Sequence, residues 1–388
     1  MGDAPGRRPL IERFQVRVDD EVLDDLRIRL AQTRFPDQIE GTGWEYGFPV
    51  AYLRDLVMYW RDEYDWRAEE ARLNELPQFR TTIGGQSIHF IHARSRHADA
   101  LPLLIGHGWP GSVVEFLDVI PRLTEPEVHG GDAAPDAFHV VAPSLPGYGW
   151  SEPTHARGWE PWQIARAFAE LMARLGYTSY AAQGGDWGAQ VATRIGALDA
   201  EHCAAIHLNM PIADPPGEEV PLTDDEKADL AAMAEFRREE SGYAQEQGTK
   251  PQTLGVALND SPAGLLSWIV EKFRTWSDCD GRPENAFTRD QLITNVMTYW
   301  VTQTITSSVR LYWELRHAGL ERRAPEFLDV PTGIARYPSE PIRLPRAWVE
   351  RRYNVTHWTE MPRGGHFAAM EQPELFVEDL RTFFRTVR

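Results

Sequence analysis

The run Gln183-Gly184-Gly185-Asp186-Trp187-Gly188 sets a carboxylate among glycines, after a predicted strand and before a predicted helix. A sharp strand-to-helix turn of this kind lifts a nucleophile above a sheet, here with Asp where Ser is common. Gly184 and Gly188 let strand and helix approach each other. A serine in this place serves acyl transfer. A carboxylate attacking an acyl group would form an anhydride, so it suits attack on an sp3 carbon, giving an alkyl ester. The leaving group would be a strained epoxide oxygen or a halide.

Two further segments fit such a nucleophile. His107-Gly108-Trp109-Pro110-Gly111 follows the apolar run Leu101–Ile105. In a strand–turn–helix nucleophile site this loop supplies one oxyanion-binding amide and the residue after the nucleophile supplies the other, which here are Trp109 and Trp187. Pro110 restricts Trp109 to extended backbone. Gly364-Gly365-His366-Phe367 lies near the C-terminus, after the nucleophile in chain order, so His366 is the candidate general base. An acid should orient its imidazole. Asn209 ends a suitable strand but carries no charge. Glu340, in Arg336-Tyr-Pro-Ser-Glu340, is the choice, ahead of Asp329 and Glu360, which flank strands on less suitable sides.

Epoxide opening generates a basic alkoxide, which needs a proton donor. Tyrosine, with an ordinary pKa of about 10, stays protonated at neutral pH. Tyr243, Tyr299 and Tyr312 are the candidates. A halide instead needs N–H donors such as indoles, and the chain has 14 Trp. The tyrosines favour the epoxide. A haloalkane or haloacid dehalogenase on the same scaffold is the alternative, and a non-catalytic binding protein is opposed by the complete set of nucleophile, base and acid.

These residues need a scaffold. Phe79–Ile83 and Ser87–Ala93, around Gly84-Gly85, read as a hairpin. Leu101–Ile105, Phe138–Ala142, Tyr177–Ala182 and Cys203–Leu208 read as buried strands. Val113–Leu123, Pro161–Leu175 and Ala189–Leu198 read as helices between them. Such alternation implies a mostly parallel sheet covered on both faces. It stops near Asn209, at a Pro- and acid-rich linker, Pro211–Pro221. Thr223-Asp-Asp-Glu226 is a capping box for a helix Lys227–Glu240, and helix-like sequence runs to about Leu320. Strands return at Val330–Ile334 and Thr356–Met361, before a helix from Pro373.

The expected class is therefore α/β, an α/β-hydrolase fold with a helical cap insertion and an N-terminal helical and meandering extension. Its expected parts are the extension at 1–78, the core at 79–210 and 323–388, and the cap at 211–322. In the extension, Asp19 and Asp20 can cap a helix bearing Val22, Leu23, Leu26 and Leu30, and a second carries Leu53, Leu56, Val57 and Trp60.

The chain has 388 residues, 42% hydrophobic, enough for a large core. Its formal charge of -18 opposes nucleic acid as a partner. Cys203 and Cys279 lack Cys-x-x-Cys spacing, which fits a reducing compartment. No apolar run of about 18 residues suggests a membrane span, and the start Met-Gly-Asp-Ala-Pro-Gly-Arg-Arg lacks a signal-peptide core, so a cytoplasmic location is expected.

Taken together, the chain resembles the microsomal-type epoxide hydrolases, including the juvenile-hormone and fungal members, over nearly its whole length. The resemblance rests on Phe35-Pro36, Trp44-Glu-Tyr-Gly47, Gly184-Gly-Asp-Trp-Gly188, Ala257-Leu-Asn-Asp-Ser-Pro262, Trp268–Trp276 and Arg363-Gly-Gly-His-Phe-Ala-Ala369. It implies Asp186 as nucleophile, His366 as base and Glu340 as acid, with Tyr243 and Tyr312 as the ring-opening pair and Tyr299 in the core or pocket wall. It implies a small-molecule epoxide substrate, a vicinal diol product and no metal or cofactor. Vertebrate members begin with a membrane anchor, which this sequence lacks, so it looks like a soluble bacterial relative. Some such relatives act on bulky aromatic epoxides in natural-product pathways such as antibiotic biosynthesis, and the tryptophan-rich composition is compatible with that. The N-terminal meander offers a surface for a homodimer contact.

Overall fold

The structure, a computed structural model, describes residues 11–217, 220–319 and 325–388. The extreme N-terminus, residues 218–219 of the expected linker, Leu320 and the expected 322/323 boundary lie outside the described residues.

Nine strands form one sheet: β1 (Glu12–Phe14), β2 (Gln78–Ile83), β3 (Gln86–Ala93), β4 (Leu101–Gly106), β5 (Phe138–Pro143), β6 (Tyr180–Gly184), β7 (Cys203–Leu208), β8 (Leu328–Arg336) and β9 (Tyr353–Glu360). Their spatial order is β1-β2-β3-β5-β4-β6-β7-β8-β9. The first four in that order pair antiparallel, and β5 onward pair parallel. The central parallel strands are largely apolar because helices cover both faces. Leu103, Ile105, Ala181, Ala182, Ile206 and Leu208 are fully buried in the middle of the sheet. Each large aliphatic among them stabilises the fold by roughly 1.5–3 kcal/mol through lost water contact.

The hairpin, the central strands and the last helix, Pro373–Phe384, agree with the sequence-based reading. Three local expectations need correction, and two elements lie outside any expectation. Val113–Leu123 is a 3-10 turn, Val113–Phe116, followed by a short helix, Val119–Thr124. Pro121 lacks an amide donor and is tolerated only within a first turn, so the helix restarts just before it. β6 begins at Tyr180 rather than Tyr177, because Gly176 turns left-handed (φ 87) at the end of helix Pro161–Arg174. The next helix begins at Asp186, three residues earlier than Ala189. Finally, β1 and helix Trp66–Leu73 carry no strong sequence pattern and were not anticipated.

Between β7 and β8 lie the helices Asp224–Glu239, Gly242–Thr249, Pro251–Asp260, Pro262–Thr275, Arg289–Trp300 and Ile305–Arg316. The Thr223 capping box forms as the sequence demands, with Thr223 Oγ1 accepting from the Glu226 amide at 3.1 Å and Glu226 accepting from the Thr223 amide at 2.8 Å. The N-terminal segment reaches across to these helices. Arg29 pairs with Asp260 at 2.8 Å, the Tyr59 hydroxyl donates to Asp290 at 2.8 Å, and the Arg274 guanidinium lies 4.4 Å over the Trp44 ring. Among the described residues, no helix is long and apolar enough to cross a membrane.

Candidate active site

Loops leaving the C-terminal ends of β4, β6, β8 and β9 bring the sequence-selected residues together, the usual place for a site in an open parallel sheet. Asp186 leaves β6 with φ 47, a left-handed conformation that non-glycine residues rarely adopt. The turn is possible because its neighbours have no side chains. A Cβ on Gly188 would sit 2.0 Å from the Gly106 carbonyl oxygen of β4, so only glycine lets the helix start so close to the sheet. A Cβ on Gly108 would fall 2.2 Å from Asp186 Oδ1. The loop after β4 therefore presents bare backbone to the carboxylate.

The Trp109 amide donates to Asp186 Oδ1 at 2.8 Å, and the Trp187 amide also hydrogen-bonds the carboxylate. Burial raises the Asp186 pKa, opposed by the His366 charge and these two amides, and the net shift is upward. His366 Nε2 stands 3.7 Å from Asp186 Oδ2, and its Nδ1 is 2.9 Å from Glu340 Oε2. Burial pulls the His366 pKa down. The charge and hydrogen bond of Glu340, then the charges of Asp186 and Glu115, outweigh it and hold the imidazole up at about 9. Glu340 is itself buried, and its Oε1 accepts from the Ile342 amide at 3.2 Å. Of the other acids weighed for this place, Glu360 pairs with Arg336 on the surface at 2.8 Å and Asp329 lies within β8. Asn209 accepts from the Gln183 side-chain amide at 3.1 Å.

Tyr243 and Tyr312 come from two different cap helices, Gly242–Thr249 and Ile305–Arg316, and meet above the Trp109 ring. Trp109 stacks on Tyr243 (5.4 Å, 7°) and meets Tyr312 edge-on (5.9 Å, 87°). Trp187 packs edge-on against Tyr312 at 4.8 Å. Burial pushes both phenols well above their ordinary pKa, and the Asp186 charge adds to it, so both remain protonated donors. Tyr299 is separate: it is buried and donates to the Gly111 carbonyl at 2.5 Å, bracing the loop from below.

Several residues around the site escaped sequence reasoning. Asn295 donates to the Pro110 carbonyl at 2.7 Å and accepts from Ser112 Oγ at 2.8 Å, clamping the Trp109 loop. The His366 loop is pinned by the cap. The His366 amide donates to the Trp276 carbonyl (2.9 Å), the Gly364 amide to Asp278 (2.9 Å), and Glu371 bridges the Phe367 and Asp278 amides (2.9 and 2.8 Å). Glu115 lies four residues past Gly111 and reads in sequence as an ordinary helical acid. None of the long-range contacts leaves a local pattern; only the position of Glu115, next to the His107–Gly111 motif, could have drawn notice.

Comparison with known proteins places the chain in a family. Residues 11–116 match the family described as epoxide hydrolase N terminus, and residues 102–256 match the alpha/beta hydrolase fold family. A relative from Stigmatella aurantiaca is 49% identical over 382 residues, covering 97% of this chain and 86% of its own. Epoxide hydrolase 1 of Sus scrofa is 40% identical, covering 99% of this chain and 92% of its own. The crystal structure of juvenile hormone epoxide hydrolase from Bombyx mori superposes with a TM-score of 0.90 at 33% identity, covering 98% of this chain and 95% of that one. The Aspergillus niger epoxide hydrolase structure gives 0.88 at 32% identity, covering 98% and 97%. The chain thus belongs to the microsomal-type epoxide hydrolases, enzymes of the α/β-hydrolase fold that carry the epoxide hydrolase N-terminal region.

Proposed function

We propose that this enzyme opens its epoxide through a covalent ester on Asp186. The carboxylate attacks an epoxide carbon, and the C–O bond of the ring breaks as Tyr243 and Tyr312 donate to the departing oxygen. Water then adds to the carbonyl carbon of the ester. His366, oriented by Glu340, takes its proton, while the Trp109 and Trp187 amides hold the oxyanion. Collapse of that intermediate releases the vicinal diol, whose ester-derived oxygen takes the proton back from His366; the proton left on the Asp186 carboxyl group replaces the one a tyrosine gave to the ring oxygen, which restores the resting enzyme.

The observation that carries this reading is the division of the Asp186 carboxylate. One oxygen is held by the Trp109 amide at 2.8 Å and the other faces His366 Nε2 at 3.7 Å. The first contact preforms an oxyanion site on the nucleophile's own carboxyl group. The second sets the base where an attacking water would pass. The charge state also fits. A neutral Asp186 ester no longer supports the imidazolium, so alkylation lowers the His366 pKa and frees the base when it is needed.

A single turnover in heavy-oxygen water tests the route. The expected result is label in the Asp186 carboxyl group and an unlabelled first equivalent of diol. Label in that diol with none in the protein would overturn it.

A further inference from the structure

Glu115 has no part in the mechanism above, yet it faces its centre. Its carboxyl folds back over its own loop, so that a Cβ on Gly111 would lie 1.7 Å from Glu115 Oε1. Backbone groups of Gly108 and Ser112 hydrogen-bond to it. Burial pushes its pKa up to about 8, with the His366 charge opposing and the Asp186 charge adding. With Asp186, His366, Gln183 and Asn209 it lines a small cavity of about 20 Å³. A water needs roughly 10–15 Å³ of such space and two or more polar partners. Gln183 Oε1, on the same wall, is buried and accepts no hydrogen bond from any described group. Tyr243 and Tyr312 do not line this cavity, so it is distinct from the place where the epoxide oxygen would meet them.

We propose that this cavity seats the water that hydrolyses the ester, and that Glu115, with Gln183, orients it. The inference rests on the covalent-ester reading. One hydrogen of the water points to His366 Nε2, and a Glu115 carboxyl oxygen and Gln183 Oε1 share the other as acceptors. The water oxygen is left aimed at the Asp186 carbonyl carbon. As the O–C bond forms, the first proton passes to His366 and the carbonyl electrons move to the oxygen held by the Trp109 and Trp187 amides. Glu115 neither gains nor loses a proton in the step. A carboxyl oxygen accepts this hydrogen bond whether the group is charged or protonated.

The test separates the two chemical steps. Enzyme in excess is mixed with styrene oxide and quenched in acid. The Asp186 ester is followed by intact-protein mass and the diol by chromatography. His366→Gln serves as the control that traps the ester. For Glu115→Ala, ester formation should stay within about threefold of wild type while ester hydrolysis slows by about tenfold or more, so that adduct accumulates. Glu115→Gln, which keeps a carbonyl acceptor, should restore hydrolysis to within about threefold. Gln183→Met should also slow hydrolysis selectively, and it decides the matter if Glu115→Ala does not fold. A parallel loss of both steps, unchanged hydrolysis, or no rescue by Gln would overturn the proposal. If His366→Gln traps no ester, the ester reading falls and this role with it. If it does, and Glu115→Ala hydrolyses like wild type, only the role of Glu115 falls.

Discussion

His366 Nε2 lies 3.7 Å from Asp186 Oδ2, within ion-pair distance, so the proposed base and the proposed nucleophile face each other directly. The consequence is that the imidazole reaches about 9 only while Asp186 is charged; Glu340 supplies the larger share of that support and remains after alkylation.

This relationship fixes a pH dependence. The base must be neutral to accept a proton from water, so ester hydrolysis should rise with pH. Its apparent pKa should fall below the resting value of about 9, because the ester no longer contributes the Asp186 charge. Single-turnover hydrolysis rates between pH 6 and 10 measure it. Glu340→Gln should move that apparent pKa further down, since the first of the raising influences is removed. A rate independent of pH would contradict the assignment of His366.

Asp186→Asn should reduce turnover by at least about 10⁴-fold, since an amide is a poor nucleophile while the surrounding fold is kept. The measurement is diol formation from racemic styrene oxide, with circular dichroism to show that the protein folds. Residual activity within tenfold of wild type would exclude Asp186 as nucleophile.

Tyr243→Phe and Tyr312→Phe should each slow ester formation on the order of 10–100-fold, and the double change should cost more than either single one. Ester hydrolysis should hardly change, because the tyrosines do not line the cavity beside His366. Tyr299→Phe provides a contrast. Its hydroxyl supports the Gly111 carbonyl rather than the cleft, so the loss should appear mainly as stability, about 1 kcal/mol.

Asp379 offers a test of the scaffold. It is buried and accepts from His207 Nε2 (2.8 Å), His357 Nε2 (2.8 Å) and Thr359 Oγ1 (2.6 Å), joining β7, β9 and the last helix. Burial raises its pKa, but the hydrogen bonds from His207 and His357 prevail and the folded-state value is depressed. Its contribution is therefore present above the ordinary carboxylate pKa of about 3.9 and lost as pH falls below it. Asp379→Ala should cost about 3–5 kcal/mol near neutral pH, by leaving buried donors without an acceptor. Denaturant midpoints at pH 7 and pH 2 would show the gap between variant and wild type narrowing in acid.

How far the sequence carried depends on the range of each interaction. Asp186 and His366 were legible because glycine-flanked turns at a strand end are local requirements, written within six residues. Glu340 was legible from its position after β8, which chain order alone supplies. The first cap helix announced itself through the Thr223 box. The break between Val113 and Thr124 was missed because one proline shifts a helix start without changing its apolar pattern. Glu115 was missed because a single acid on an apolar helix looks solvated until the opposite wall is known.

The sequence by itself determined the chemistry offered at the strand ends: a carboxylate in a turn that permits a left-handed φ, two amides beside it, and a histidine late in the chain. Backbone geometry and residue type are local, so they can be read locally. Only the tertiary structure decided how these groups act on one another. Asn295 lies 185 residues from the Pro110 carbonyl it holds, and Glu371 lies 93 from the Asp278 amide. The pKa of His366 is lowered by burial and raised by three acids that approach from separate parts of the chain. Desolvation and charge coupling depend on what surrounds a group in space, and that environment exists only once the sheet and the cap have closed over it.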